Sequence, residues 1–526
     1  MGINKIKLFS NTIKYLKPIQ IYYRLYYFVR NRFFKRSYNR ELSIKEVSLV
    51  WNDVLLIPDT YFGNNSFSFL NIAKDFQKEI DWNYDGVGKL WTFNLNYFDF
   101  LNQKEIDVED GLRLMKNYVA KYSLLKDGKA SYPISLRGIN WIKFLAKNKI
   151  KDDVVNQALY NQYQILSSNI EYHLLGNHLL ENGFALLFGA YYFKDEIFYN
   201  HGVEILKAEL QEQILNDGGH FELSPMYHQT MLFRVLDSIQ LLKLNAWKND
   251  DMLQFLERVA LKMLSWLKEV TFDNGDIPMV NDSSYGVAPS TKELLSYGKH
   301  LDLNAGEIKL SDSGYRMFKE EKFELFVDLG QVGASYQPAH VHSDTFNFVL
   351  YANKQPILVD TGVSTYEKNE LRQIERSTSS HNTIQIGNIE QTQVWGGFRV
   401  AKRAKIIHLN ENKNNIEATH DGYANIGCTH KRNFSWNKES IKIIDNISKS
   451  TDKKTKAFFH FHSNIEEPKI NNGSVFLEKE NIKLEFEGYI GISLAKYELS
   501  EGFNKTKLAF KIIVTFDNYL KSKISL

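Results

Sequence analysis

Between about residues 106 and 303, apolar positions recur at helical spacing, in blocks at 108–122, 154–170, 179–193, 198–215 and 231–247. The connections hold Lys126-Asp127-Gly128, Gly176-Asn177 and Asp217-Gly218-Gly219, residue types that stop or start helices. Consecutive helices with short connections pack as antiparallel hairpins, in a bundle or a ring. After about Gly306 the period changes to two. Segments 323–328, 345–351, 357–359, 383–386, 457–462, 482–486 and 508–516 read as strands, separated by turn-forming runs such as 352–355, 410–415 and Asn471-Asn472-Gly473. Many short strands without intervening helices predict an antiparallel sandwich. The pattern therefore predicts an all-α half followed by an all-β half.

The length of 526 residues favours two or three domains over one, and a hydrophobic share of 43% excludes wholesale disorder. We divide the chain into a basic, aromatic segment 1–40, a helical region 41–305 and a strand-rich region 306–526. The net charge of +3 conceals an uneven distribution. Residues 1–40 carry ten Lys and Arg and no Asp or Glu, which leaves the remaining chain at −7. A body of that sign argues against nucleic-acid binding. The single cysteine, Cys428, excludes an intramolecular disulfide, a CxxC zinc ribbon and an iron–sulfur cluster. No apolar run reaches the length of a transmembrane helix. Lys14, Lys17, Gln20 and Arg24 break up the N-terminal apolar stretches and no small-residue cleavage site follows, which argues against a signal peptide. The location expected is cytoplasmic or peripheral at the inner membrane surface, with the periplasm or cell envelope as the alternative. Residues 13–34, basic and rich in Tyr, Phe and Ile, suit an interfacial amphipathic helix on an anionic membrane. The alternative reading, favoured over the first, is a helical pair packed on the helical half.

The densest polar cluster is Gln337-Pro338-Ala339-His340-Val341-His342-Ser343-Asp344. On a strand, His340 and His342 would share one face. With Asp360 and His381, two imidazoles and a carboxylate can make a three-ligand site for zinc. The competing reading is histidines hydrogen-bonded within a sheet. His460-Phe461-His462 repeats the spacing without a third ligand, and packing in the sheet explains it. In the helical half, Asn177 and His178 open one helix. His220, Glu222, Ser224, Tyr227 and His228 surround the start of another. Capping accounts for Asn177 and Ser224, but it does not call for Tyr227, His220 and Glu222 in one stretch. The segments 91–97, with Asn94 and Tyr97, and 132–141, with Arg137, Asn140 and Trp141, mix rings with amides and a guanidinium. That mixture suits a sugar cleft or helix packing.

Together these segments resemble the heparinase II/III-like family of polysaccharide lyases. The most specific part runs from His340-Val341-His342-Ser343-Asp344 through Asp360-Thr361-Gly362 to Arg376-Ser377-Thr378-Ser379-Ser380-His381-Asn382-Thr383. Gly176-Asn177-His178 and Ser224-Pro225-Met226-Tyr227-His228 stand in the expected order. The resemblance implies an incomplete (α/α) toroid followed by an antiparallel β-sandwich, and β-elimination on a uronic-acid polysaccharide. It makes Asn177, with His178 beside it, the partner of the substrate carboxylate. Tyr227 and His340 become the proton-transfer pair, with the Tyr227 phenolate favoured if cations lie near it. His342, Asp360 and His381 take the positions that bind a structural zinc in some members. Asn94, Tyr97, Arg137, Asn140, Trp141, Glu222, Arg376, Trp395 and Arg399 are expected along the cleft. The acidic body requires Arg137, Arg376, Arg399 and Lys402 to collect there, and it favours a sparsely charged uronate or bacterial surface glycan over a heavily sulfated one. The alternatives are a uronyl C5-epimerase on the same scaffold and a non-catalytic glycan-binding or assembly protein.

Overall fold

The computed structural model describes residues 3–34, 36–38, 40–42 and 49–526. Residues 1, 2, 35 and 39 of the basic segment, and 43–48, lie outside them. Helices α1 (Ile3–Ile13) and α2 (Pro18–Phe33) precede a hairpin of Ser66–Phe69 and Ile72–Asp75. The helical half follows as α3 (Lys89–Tyr97), α4 (Val108–Lys121), α5 (Ser131–Lys147), α6 (Asp153–Ser168), α7 (Gly176–Phe193), α8 (Glu196–Gln213), α9 (Pro225–Leu244), α10 (Met252–Val270) and α11 (Thr291–His300). The five predicted helical blocks fall on α4, α6, α7, α8 and α9, within a few residues at most ends. Carboxylates start three of the helices. Asp107 accepts from Asp110 N (2.8 Å), Asp152 from Val155 N (3.0 Å) and Asp195 from Ile197 N (2.9 Å).

Helices α5 and α6, α7 and α8, and α9 and α10 pack on each other as hairpins, and the helical half forms an incomplete toroid. Every residue of α7 except His178 is buried, which explains a sequence that is apolar on all sides. Gly189 is required by the close approach of α6, because a Cβ there would lie 2.2 Å from the Tyr163 ring.

The β half contains two principal antiparallel sheets. One has four strands in sequence order, Tyr315–Lys319, Phe323–Asp328, Phe348–Ala352 and Gln355–Leu358. The other has ten strands and is built around the 21-residue strands Ile482–Gly502 and Lys505–Ser525. The predicted strands at 482–486 and 508–516 are pieces of these long ones. None of residues 489–496 is buried and they alternate weakly, so the period-two signal fades while the backbone pairing continues.

The strand Phe323–Asp328 is buried along its whole length because both faces are covered. Phe323, Leu325 and Val327 enter the sandwich core. Phe326, with Val349 and Tyr351, packs on Leu223, Trp266, Val270 and Phe272 of the helical half. This second layer of apolar contact fixes the sandwich against the ends of α9 and α10. It holds the loop 337–344 over the N-termini of α7 and α9.

Candidate active site

Helices α7 and α9 start next to each other, and both starts face a cleft of about 490 Å³. Ser224 caps α9, its Oγ accepting from Tyr227 N (3.3 Å), and this places Tyr227 in the first turn. The start of α7 is capped from outside. Leu175 and Gly176 take positive φ, 63° and 61°, and no side chain of that turn caps the helix. Instead Glu222 accepts from Asn177 N (3.0 Å) and Asn177 Nδ2 (2.8 Å), an anion at a helix N-terminus. Burial opposes ionisation of Glu222. His340, His220 and the two Asn177 donors outweigh it and hold the carboxyl below the usual range.

His340 comes from the β half. Its ring lies on that of Tyr227, with centroids 3.9 Å apart, and its Nε2 is 3.4 Å from Asn177 Nδ2. Its Nδ1 donates to Asp282 Oδ2 (2.9 Å), while Nε2 of His342 donates to Asp282 Oδ1 (2.9 Å). Arg372, in α12 (Glu370–Glu375), grips the same carboxylate with both terminal nitrogens, at 2.5 and 2.7 Å. Burial works against the Asp282 charge, but Arg372 and the two histidines hold its pKa well below the ordinary value. His340 is thereby fixed as the Nδ1–H tautomer, with Nε2 left to meet a proton in the cleft.

Tyr227 has the opposite electrostatics. Burial, then Tyr366, whose hydroxyl is 3.3 Å away, then Asp282 and Glu222, raise its pKa well above 10. Among the described residues no cation acts to favour a phenolate, contrary to the condition set above. His178 bonds Glu171 Oε1 through Nδ1 (3.3 Å) and lies on the Tyr132 ring at 4.4 Å. Its partial burial would lower its pKa, but Glu171 prevails and raises it.

The cleft brings together Asn94, Tyr97, Asn177, His178, Glu222, Tyr227 and His340. Other residues expected along it are elsewhere. Arg137 is fully buried and donates to Gln162, Asn96 O and Gly128 O, tying α5 to α3 and α6. Asn140 bonds Tyr97 O and Asp99, and Trp141 is packed in the helical core. Arg376 is spent on the carbonyls of Val341 and Gly397. Trp395 donates to Thr12 Oγ1 (3.2 Å), and Arg399 lies over the Trp395 ring. The cleft is therefore not lined with cations as expected. Among its described lining residues Arg234 is the one Arg or Lys, bound by Nε to Glu181 (3.1 Å), beside Asp99, Glu222 and Glu293. Sequence reading also passed over Asp282, Arg372 and Tyr366. The polar run Asn281-Asp282-Ser283-Ser284, between two helices, is the one signal that pointed to Asp282.

Residues 337–344 form a loop and not the expected strand. The two histidines still share a side, because Val341 between them packs away against Val394 and Val400. His342, Asp360 and His381 are all buried. His381 Nδ1 bonds Asp360 Oδ2 (2.8 Å), and the His342 and His381 rings are 5.3 Å apart. Among the described residues His342 Nδ1 and His381 Nε2 have no hydrogen-bond partner, so the donor chemistry suits zinc. To join them at a metal, Asp360 would have to give up one of its present donors. Asp360 is already engaged by His381, Asn347 and Gly362 N. Among the described residues no group of three His, Cys, Asp or Glu is set to hold a metal ion.

Patterns of the heparinase II/III family cover nearly the whole chain. The heparinase II/III N-terminus matches residues 2–300, and the heparinase II/III-like C-terminal pattern matches residues 303–525. The chain belongs to the heparinase II/III family. A heparin-sulfate lyase of Bacteroides stercoris is 26% identical over 253 residues, 42% of this chain and 37% of that protein. The heparin-sulfate lyase of Bacteroides thetaiotaomicron is 26% identical over 233 residues, 36% and 33% respectively. This chain thus aligns with about a third of the length of these curated relatives. The family architecture extends further. A heparinase III structure superposes with a TM-score of 0.65 at 15% identity, covering 97% of this chain and 92% of that one. A heparan sulfate lyase from Pedobacter heparinus gives 0.57 at 16%, covering 88% and 81%. The toroid followed by an antiparallel, sheet-rich half is therefore the family fold.

Proposed function

We propose that this protein is a polysaccharide lyase that cleaves a uronic-acid glycan by β-elimination. The observation that carries the reading is the stacked Tyr227–His340 pair, from opposite halves of the molecule, above the Asn177–His178 turn. In such a reaction the C5 proton becomes removable once the adjacent carboxylate is neutralised, and the glycosidic oxygen must be protonated as it leaves. His178, whose charge Glu171 supports, and the Asn177 amide are the groups for the carboxylate. His340 Nε2, oriented through Asp282, takes the proton. Tyr227, kept as a phenol, gives one to the leaving oxygen. The relatives named heparin-sulfate lyase support the reaction class. A cleft with Arg234 as the one Arg or Lys among its described lining residues favours a uronate with few sulfates, such as a bacterial surface glycan.

Zinc belongs to this proposal as a structural ion. His342 and His381 would supply imidazole nitrogens and Asp360 a carboxylate oxygen, after Asp360 releases one of its present donors. Bound there, the ion would pin the loop that presents His340, and no proton transfer passes through it.

The test is turnover of a uronate polymer by Tyr227→Phe and His340→Ala. Both should lose at least roughly a hundredfold in kcat while keeping the wild-type melting temperature. Full activity in either folded variant would refute its assigned role.

A further inference from the structure

Helix α2 is inside out. The side it turns to the body is held mainly by polar groups, beside the ring of Tyr23 on that of Tyr172 (4.7 Å). Gln20 Nε2 donates to Leu174 O (3.1 Å), Tyr27 Oη to Ile170 O (2.6 Å) and Arg30 to Ser168 O (2.5 Å). Gln20 and Arg30 are the buried residues of the helix. The outer side carries Tyr22, Leu25, Phe28, Val29 and Phe33, with Leu25 62% and Phe28 and Phe33 each 70% exposed. Helix α1 extends this surface with exposed Ile6, Phe9 and Ile13. A helix lying between body and water places its apolar residues the other way round. A contiguous exposed apolar surface of this kind marks a place of attachment.

Charge identifies what it attaches to. Lys5, Lys7, Lys14, Arg24 and Arg32 are exposed around the apolar residues, and residues 1–40 contain no acidic side chain. We propose that the outer face of α1 and α2 docks on an anionic lipid bilayer, with the rings among the headgroups and the cations against lipid phosphates. A second copy fits poorly, because a two-fold interface would set this cationic surface against itself. The attachment is peripheral, since among the described residues no helix is long and apolar enough to cross a membrane.

The docking face is tied to both halves of the molecule. Helix α2 is bonded to the carbonyls of 168–174, just before the Asn177–His178 turn. Below α1, Trp395 donates to Thr12, and Arg403 stacks at 3.8 Å on Tyr15. Docking would therefore hold the cleft close to the lipid surface, where a membrane-attached glycan could reach it.

The experiment is vesicle flotation of the full-length protein, with phosphatidylglycerol–phosphatidylcholine vesicles against pure phosphatidylcholine. The protein should float with the anionic vesicles at low salt, sink at high salt, and float poorly with the neutral ones. Leu25→Glu/Phe28→Glu should weaken binding at least about tenfold. Leu124→Glu, at an equally exposed position on the body, should leave it unchanged. Circular dichroism and melting temperature verify that both variants fold. Absence of flotation, or equal flotation of wild type and the double variant, overturns the proposal. So does self-association that the double variant abolishes without vesicle binding, which would assign the face to a second copy.

Discussion

Asp282→Asn is the perturbation that most sharply separates orientation of the site from its assembly. Asp282 is fully buried and accepts four hydrogen bonds, from His340, His342 and both terminal nitrogens of Arg372. An amide offers one acceptor oxygen and turns an N–H₂ towards donors, so some of those four bonds must fail. Leaving a buried guanidinium without its anion costs roughly 3–5 kcal/mol. The Arg372 cation lies 5.0 Å from the Tyr366 ring and 5.3 Å from Phe398, which retains part of its stabilisation and favours the lower end. The chemical effect is separate. Without the carboxylate, His340 is free to carry its proton on Nε2, the wrong nitrogen for a base facing the cleft. Loss of tautomer control in a carboxylate–histidine pair lowers kcat by roughly 10²–10⁴. Thermal melting and initial rates on a polymer cleaved by the wild type measure both effects. A folded Asp282→Asn protein with kcat within a factor of about three of wild type would refute the view that Asp282 orients the base.

Stability should fall in acid for a reason located in the helical half. Burial lowers the pKa of His220 to about 4 and that of His228 to about 3. Both are bonded as neutral rings, His220 to Gln213 and His228 to Met263 O and His220 N. Well above pH 6.5 both are largely unprotonated, folded or unfolded. As pH falls from 6.5 towards 4 the unfolded chain takes up protons that the folded one refuses, which removes roughly 3 kcal/mol for His220 and somewhat more for His228. Denaturant midpoints between pH 7 and 5 should fall less steeply in His220→Gln/His228→Gln, and an unchanged slope would contradict this. For zinc, elemental analysis should find one ion per chain and chelation should lower the melting temperature. Protein free of zinc, with a melt indifferent to chelator, removes that proposal.

The division into helices and strands was legible because each half keeps one apolar period. The legible part of the site was local. Asn177, His178 and Tyr227 sit at helix starts, where turn residues and polar side chains stand together in sequence. Arg137, Asn140 and Trp141 misled because an aromatic, amide-rich stretch has the same composition whether it lines a sugar cleft or ties α5 to α3. Arg376 misled for the same reason, as its guanidinium bonds carbonyls of two loops. Asp282 and Arg372 stayed hidden because Asp282 meets His340 and Arg372 across the join between the halves, 58 and 90 residues of chain separating the bonded pairs. The basic N-terminal segment was read as either a membrane helix or a packed one. In the structure one side of α2 packs on the body and the other is bare.

The central claim is that C5 proton abstraction ends in expulsion of the glycosidic oxygen. The measurement is incubation of the wild-type protein with a panel of uronate polysaccharides in deuterated water. Ultraviolet absorbance of the unsaturated uronate and deuterium at C5 are followed together. We expect the absorbance to grow with new chain ends on at least one lightly sulfated or unsulfated polymer. Deuterium at C5 with no absorbance and no new ends would show epimerisation and contradict the account.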